Sequence, residues 1–119
     1  MKVAVVGASD NPERYSHQAM LLLRQTGHTA YPVHPGAITV AGLPAYASVT
    51  RIPVRIDTAT IYLSPRNQGK LGDDLIAGNV ARVIFNPGTE NPELEARLRA
   101  TGIEVIEACT LVLLNTGQF

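Results

Sequence analysis

The sequence predicts a doubly wound α/β domain, and three features of the chain lead to this prediction. Short apolar runs rich in β-branched residues recur along the chain, beginning with residues 3–6. Longer amphipathic segments lie between these runs, and glycine or proline marks most of the junctions. Runs without polar alternation are typical of strands buried on both faces, and their alternation with helices is typical of parallel βαβ units.

The first strand and the first helix are joined by a glycine turn. The strand at residues 3–6 ends at Gly7, and an amphipathic segment follows. We expect Ser16 to cap this helix and Gly27 to end it in a left-handed conformation. The apolar side of the helix is predicted to consist of Met20, Leu21 and Leu23.

The next part of the chain is predicted as a strand followed by a long loop. Residues 28–33 form the second strand, in which Pro32 lacks an N–H group and therefore indicates a strand end or an edge position. Residues 37–53 are rich in glycine, proline and small side chains, which favours a loop. We expect one short extended piece within this loop, at residues 43–46.

Three further strands and three further helices complete the prediction. The strands are expected at residues 59–63, 81–85 and 103–106, and the helices at residues 68–77, 92–100 and 109–115. In the last helix, Leu111, Val112 and Leu114 are expected to pack on the sheet. The order predicts a single Rossmann-like doubly wound domain over residues 1–119, with about five mainly parallel strands and helices on both faces.

Composition restricts the partners that the chain can bind. The 119 residues include 10 basic and 10 acidic side chains, so no overall positive field attracts nucleic acid or an acidic membrane surface. No apolar run reaches the roughly 20 residues that span a bilayer, and Met1 does not begin a signal-peptide pattern. The single cysteine, Cys109, is typical of a reducing compartment. We therefore expect a cytoplasmic protein with a small-molecule ligand, no nucleic acid and no membrane.

Four predicted loops lie at the edge of the sheet where a ligand is expected. In open parallel sheets, ligands bind outside the carboxyl ends of the strands, near the point where the strand order reverses. The loops at that edge are residues 7–15, 34–36, 64–67 and 86–91. Each is rich in glycine, proline, serine, asparagine or arginine.

The first of these loops has the composition of a phosphate-binding turn. Gly7 permits a tight turn in which N–H groups and the positive end of the next helix meet a phosphate, and a side chain at Gly7 is expected to fill the phosphate's space. Ser9 adds a hydroxyl donor and Arg14 a positive charge. The three-glycine dinucleotide pattern is met only at Gly7, however, and Asn11 and Ser16 could serve simply as helix caps. The residues alone leave both interpretations open.

The end of the second strand argues against an NAD site. Such sites usually place a carboxylate there to bind the ribose hydroxyls, whereas this chain continues from Val33 into His34, Pro35 and Gly36. His34 and Pro35 are better suited to line an adenine or to meet a ribose phosphate. A solvated or capping side chain is the alternative interpretation of His34.

No set of residues has catalytic or metal-binding spacing. His17 and His28 flank the first helix and fit surface or cap positions. Cys109 has no base paired with it in the sequence, and a buried thiol is the simpler interpretation. No ligand spacing supports a metal site, so we assign neither catalytic nor metal-ligating residues.

Several short pieces of the chain together resemble a known family. They are residues 5–9, 11–12, 14–16, 31–35, Gly42 with Tyr46 and Ser48, residues 64–65, 86–88 and 102–106, and Cys109. Their order and spacing resemble the small CoA-binding proteins with a Rossmann-like fold, which are similar to the CoA-binding domain of the succinyl-CoA synthetase α subunit. The likeness covers nearly the whole chain.

This resemblance implies a site for coenzyme A or an acyl-CoA. It implies that Gly7, Ala8 and Ser9 lie near the phosphates, and Arg14 is our preferred partner for one of them. The other residues implied at the site are Asn11, His34, Pro35, Ser64, Pro65, Pro87 and Gly88. Two positions depart from the family pattern: relatives usually have asparagine at the position of His34, and the synthetase subunit has a lysine where this chain has Ala37.

Three functions are compatible with these residues. The first is a CoA-binding module without catalysis of its own. The second is a small NAD(P)-dependent oxidoreductase domain, which the missing carboxylate after Val33 disfavours. The third is a regulatory or interaction protein whose nucleotide site has decayed, an alternative that Ala37 keeps open. A protein partner or a homodimer is compatible with all three.

Overall fold

The computed structural model describes residues 1–119, which form a five-stranded sheet, a two-stranded hairpin and four α-helices. The strands are β1 (Lys2–Val6), β2 (Thr29–Val33), β3 (Thr39–Val40), β4 (Leu43–Pro44), β5 (Thr58–Ile61), β6 (Arg82–Phe85) and β7 (Glu104–Glu107). The helices are α1 (Tyr15–Gln25), α2 (Leu71–Ala77), α3 (Pro92–Ala100) and α4 (Thr110–Asn115). Short 3₁₀ turns lie at Val49–Arg51 and Pro65–Asn67.

The large sheet is parallel throughout, with the strand order β2-β1-β5-β6-β7. The strand β1 lies between β2 and β5, and its last residue, Val6, pairs with both Val33 and Ile61. The chain therefore leaves β1 in one direction and later builds the rest of the sheet in the other. The predicted doubly wound sheet is confirmed, and the reversal of strand order places the expected ligand site at the carboxyl end of β1.

Helices cover both faces of the sheet, because successive side chains of a strand point to opposite faces. In β1, Val3 and Val5 belong to the core under α1 and α4, whereas Ala4 and Val6 belong to the core under α2 and α3. The helix residues in the first core are Met20, Leu23 and Leu114, and those in the second are Leu71, Leu75 and Leu98. β1 is thus buried on both sides, as its unbroken apolar sequence predicts.

Three expectations about the helices are wrong in detail. Leu21 on α1 and Val112 on α4 are 42% and 55% exposed, so neither packs on the sheet. Ser16 does not cap α1, because the helix begins at Tyr15 and Arg14 occupies the cap position. Ser16 instead faces the sheet together with Ala19, and the 3.6-residue period of the helix then turns Leu21 towards solvent.

The segment at residues 37–53 is more ordered than its composition suggests. It contains the hairpin of β3 and β4 instead of one extended piece at residues 43–46. Tyr46 then lies beside β2, where its N–H donates to the Pro32 carbonyl (2.9 Å) and its carbonyl accepts the His34 N–H (2.9 Å). The loop is thereby fixed next to the carboxyl end of β2.

A buried polar network joins β5, β6 and the start of α4. The Asn86 Nδ2 group donates to Thr60 Oγ1 (2.7 Å) and to the Ile61 carbonyl (2.8 Å), and Asn86 Oδ1 accepts the Thr110 N–H (2.8 Å). The hydroxyls of Thr60 and Thr110 are 2.7 Å apart. Because the three side chains are buried and their polar atoms are paired, the network holds the loop after β6 against α4.

The start of α3 brings two carboxyl groups together. Asn91 Oδ1 accepts the Leu94 N–H, and the buried Glu95 carboxylate accepts the Asn91 N–H at 2.9 Å. The exposed Glu107 of β7 lies next to Glu95. Hydrogen bonding to Glu95 and its like charge raise the pKa of Glu107 above its ordinary value of 4.5.

Glu107→Gln is expected to raise the melting temperature at neutral pH. Because the pKa of Glu107 is raised on folding, its contribution to stability is complete below pH 4.5 and is lost as the pH rises through the raised value. Glutamine removes the charge that opposes folding, so the advantage should be present at neutral pH and absent in acid. Thermal melts of the parent and the variant at neutral pH and below pH 4.5 test this prediction. Glu104→Gln, at the other end of β7, is the control. A variant that melts below the parent at neutral pH would contradict the assignment.

Candidate functional site

Two adjoining cavities open at the carboxyl edge of the sheet, beside β1. The large cavity has a volume of about 600 Å³ and the side cavity about 420 Å³, both within the usual range of small-molecule sites. Their linings share Gly7, His34 and Leu63. One elongated ligand could therefore extend through both.

Most of the site residues expected from the sequence lie around these cavities. Those that line the large cavity are Gly7, Ala8, Ser9, Arg14, His34, Ser64, Pro87 and Gly88. Pro35 lines the side cavity, whereas Asn11 and Pro65 line neither. Loops that are far apart in the sequence are thus gathered around one opening.

The N–H groups available to an anion differ in part from those expected. Gly7 and Ala8 both donate to the Val33 carbonyl, at 3.1 and 3.3 Å, so their N–H groups are used inside the protein. The N–H groups that line the large cavity and have no acceptor in the chain include those of Ser9, Tyr15, Ser16 and Ser64. Tyr15 and Ser16 form the first turn of α1, where the helix dipole adds partial positive charge. The unpaired N–H groups at this edge therefore lie at Ser9, at Ser64 and at the start of α1.

The loop after β1 is held in place by its own polar groups. Ser9 Oγ accepts the Asn11 N–H (3.1 Å), and Asn11 Oδ1 accepts the Glu13 N–H (3.0 Å). His17 Nδ1 donates to the Ser9 carbonyl at 2.9 Å, which ties the loop to α1. Accepting a bond leaves the Ser9 hydroxyl proton free to donate into the cavity. Asn11 shapes the loop from outside the cavities but does not cap α1, because its side chain accepts from Glu13, ahead of the helix, and Arg14 occupies the cap position.

Gly7 is required for a different reason from the one expected. Its φ of +86° lies in the left-handed region, and a Cβ atom there would lie 3.2 Å from the Tyr62 carbonyl carbon and 3.1 Å from Leu63 Cδ2. A side chain would therefore press against the end of β5 instead of filling the phosphate space. The absence of a side chain at Gly7 allows β1 and β5 to pack closely at the switch point.

Arg14 supplies a positive charge that nothing in the chain neutralises. It is exposed, it lines the large cavity, and its guanidinium makes no hydrogen bond or ion pair within the protein. Its backbone carbonyl accepts the N–H groups of His17 and Gln18, which fixes its main chain at the start of α1. The free guanidinium is suited to a bidentate contact with a phosphate.

His34 separates the two cavities and has a defined hydrogen-bonding state. Its Nδ1 accepts the Gly36 N–H at 3.0 Å, so the neutral ring carries its proton on Nε2 and can donate from there. Pro35 and Gly36 follow without a carboxylate. The end of β2 thus offers the Nε2 donor of His34, and it has no carboxylate to accept hydrogen bonds from a pair of ribose hydroxyls.

The opposite wall of the large cavity comes from the loops after β5 and β6. Burial raises the pKa of Tyr62 to about 12, so the phenol is neutral at physiological pH. Its hydroxyl oxygen is buried, and the nearby hydroxyls of Thr60 and Thr110 oppose the shift without completing a hydrogen bond. Gly88, in the left-handed region at φ +91°, donates its N–H to Glu90 Oε1 at 2.8 Å.

Gln68 joins these two loops, although its sequence position predicts only a helix residue. The helix α2 begins at Leu71, and Gln68 precedes it with a buried side chain. Its Nε2 donates to the carbonyls of Leu63 (3.0 Å) and Thr89 (2.8 Å), and its Oε1 accepts from Asn91 Nδ2 (2.8 Å). Every polar atom of the amide is used, so Gln68 sets the spacing of the loops that line both cavities. No local pattern in the sequence marks this role.

The remaining candidate groups lie beside or away from the cavities. Cys109 lines a small pocket of about 60 Å³ next to the large cavity, together with Tyr62 and Pro87. His28 lies at the opposite end of the sheet, where burial lowers its pKa. No group of three His, Cys, Asp or Glu side chains is placed to hold a metal ion. None of the helices has the length and hydrophobicity needed to cross a membrane.

The parallel sheet, the reversal of strand order and the open cavity beside β1 define a Rossmann-like α/β domain. A sequence profile of the CoA binding domain matches residues 1–115. This chain therefore belongs to the CoA-binding domain family, as the loop residues suggest.

Related proteins include complete ligases and short chains. The chain is 31% identical over 107 residues to the ADP-forming acetate–CoA ligase I of Archaeoglobus fulgidus, a match that covers 88% of this chain and 16% of the ligase. It is 26% identical over 105 residues to an uncharacterized protein, YneT, of Bacillus subtilis, which covers 88% of this chain and 78% of that protein. The chain thus spans only a small part of the ligase.

Solved structures show the same architecture. A protein from Pyrococcus horikoshii superposes with a TM-score of 0.91 at 28% identity, covering 96% of this chain and 81% of that one. The dinucleotide-forming acetyl-coenzyme A synthetase 1 of Ca. Korarchaeum cryptofilum, solved with phosphate and ADP, superposes with a TM-score of 0.78 at 27% identity. That match covers 90% of this chain and 25% of the synthetase.

Proposed function

We propose that residues 1–119 act as one domain that binds coenzyme A or an acyl-CoA in the large and side cavities. The observation that carries the proposal is the set of unpaired donors at the switch point. The N–H groups of Ser9, Tyr15 and Ser16 have no acceptor in the chain, and the Arg14 guanidinium has no counter-charge. Such a set at a helix N-terminus is suited to the diphosphate of a nucleotide cofactor.

The end of β2 favours CoA over NAD as the cofactor. A ribose with two free hydroxyls is best held by a carboxylate, and this chain places the His34 ring and Pro35 there. CoA carries a phosphate on that sugar, for which the Nε2 donor of His34 is a better match. Membership of the CoA-binding domain family supports the same choice.

We propose that the chain binds the cofactor without a chemical step of its own. The titratable groups around the large cavity include Glu13 and His34, and the Nδ1 atom of His34 is already used by Gly36. The match covers 16% of the Archaeoglobus ligase, and we assign any chemistry on the bound cofactor to groups outside residues 1–119. The free cysteine fits a reducing compartment, and we propose a cytoplasmic location.

Isothermal titration calorimetry with CoA, acetyl-CoA and NAD under identical buffer conditions tests the cofactor. We expect saturable binding of CoA or acetyl-CoA at one site per chain, and no measurable heat with NAD. Mass spectrometry of the purified native protein should also show a co-purifying thiol nucleotide. Preferential binding of NAD would overturn the proposal, and absence of binding to all three would favour a decayed site.

Ser9→Ala is expected to weaken CoA binding by about 1–2 kcal/mol, because the Ser9 hydroxyl proton is free to donate to a charged phosphate oxygen. Calorimetry on the parent and the variant measures the change. Thr26→Ala removes a hydroxyl at the far end of α1, where it donates to the Leu22 carbonyl, and should leave the affinity unchanged. Equal affinities of the parent and Ser9→Ala would place the phosphates elsewhere.

A further inference from the structure

The side cavity differs in character from the large cavity that it adjoins. Its walls are mainly hydrocarbon, from residues that include Val6, Val33, Pro35, Val49, Leu63 and Leu71. An apolar cavity of about 420 Å³ is suited to a planar, uncharged group such as a purine base, and it is less suited to a diphosphate.

One cation lies in the lining of this cavity. Lys70 immediately precedes α2, is exposed, and has no hydrogen bond or ion pair from its ammonium group. The other charged residue in the lining is Asp74, one helical turn further along, and it is not paired with Lys70 either. Ala37 offers no charge and lines neither cavity. Lys70 is therefore the cation available to an anionic group bound in the side cavity.

The border between the two cavities sets where each part of a ligand can lie. Gly7, His34 and Leu63 line both cavities, so a molecule with its diphosphate near Ser9 would cross this border with its ribose. A phosphate on that ribose would lie at the mouth of the side cavity. His34 and Lys70 are the basic side chains in the lining of the side cavity.

On these grounds we propose that the side cavity holds the adenosine end of the cofactor and that Lys70 binds its 3′-phosphate. Lys70 then adds a full positive charge to the His34 donor, and this charge favours CoA over 3′-dephospho-CoA, whereas Arg14 binds the diphosphate that both ligands share. This inference rests on the proposed function, and it adds the residue that determines specificity.

Binding of CoA and 3′-dephospho-CoA to three proteins tests the inference: the parent, Lys70→Met and Arg14→Met. We expect the parent to prefer CoA by about tenfold, the effect of one charge-assisted contact. Lys70→Met should lose most of that preference, because it weakens the binding of CoA alone. Arg14→Met should weaken the binding of both ligands by similar factors. Raising the salt concentration should reduce the preference of the parent, because the Lys70 contact is partly exposed.

Lys2→Met is the matched control, since Lys2 is the chain's other lysine and lies at the amino end of β1, away from the cavities. It should leave both affinities unchanged. If the parent binds both ligands equally, or if Lys70→Met weakens both equally, the role of Lys70 is wrong while CoA binding stands. If the parent binds neither ligand, the proposed function itself fails. A thermal melt of each variant confirms that it is folded.

Discussion

Gly7→Val is expected to lower the free energy of unfolding by about 3–5 kcal/mol, because it combines an unfavourable backbone conformation with a steric clash. At φ +86° a β-branched residue is strained, and its Cβ would lie 3.2 Å from the Tyr62 carbonyl carbon. Relief would require β1 and β5 to separate at the switch point. Chemical denaturation measures the loss, and CoA binding should fall with it as the loop after β1 shifts.

A pair of alanine variants separates the two causes. Gly27 has nearly the same backbone angle, φ +89°, but a Cβ atom on this residue would have no other atom within 4 Å. Gly27→Ala should therefore show the backbone strain alone, about 1–2 kcal/mol, and Gly7→Ala should show a larger loss. If the two alanine variants are equally stable, the close approach of β5 at Gly7 has no energetic consequence, and the steric explanation is wrong.

Asn86→Ala is expected to destabilise the protein by about 3 kcal/mol. The substitution leaves the Ile61 carbonyl and the Thr110 N–H buried without their partners, removes a donor from Thr60, and opens a void. Chemical denaturation is again the measurement. Asn115→Ala, at the exposed end of α4, is the control and should change stability by less than about 0.5 kcal/mol.

Asn86→Asp gives this prediction a second readout. An aspartate could still accept the Thr110 N–H but, when ionised, could not donate to the Ile61 carbonyl, and it would bury a charge. Its destabilisation should therefore be large at neutral pH and smaller in acid, where the protonated carboxyl can donate. A loss of stability that does not depend on pH would show that Asn86 acts through packing alone.

The strands of the fold are predictable from the sequence, because a buried parallel strand needs an apolar run and little else. The apolar runs that begin at Val3 and Val83 are buried on both faces of the sheet. A central strand is the element that buries such a short run most completely. The helix faces are less predictable. Leu21 and Val112 are as hydrophobic as their buried neighbours, and only the rotation of each helix on the sheet decides which side chains are exposed.

The location of the candidate site is predictable to the level of loops, but the N–H groups that are free to donate in it are not. The switch point directs attention to the residues after Val6, and Ser9, Arg14 and His34 do line a cavity there. The sequence cannot show that the Gly7 N–H is used by Val33 while the N–H groups at the start of α1 are free, since this depends on the pairing of β1 with β2. The role of Gln68 is unpredictable for a related reason, because two of its three partners, Thr89 and Asn91, lie 21 and 23 residues away in the sequence.

The hydrogen bonds of Tyr46 also determine how this protein can meet other chains. At the β2 side of the sheet, Tyr46 uses the Pro32 carbonyl and the His34 N–H, so an incoming strand finds these groups occupied. At the β7 side, Glu104 and Glu107 are both exposed and would bring like charges together if two copies aligned there. Occupied backbone groups at one border of the sheet and like charges at the other thus oppose growth by strand addition, which is the first step of fibril-like stacking.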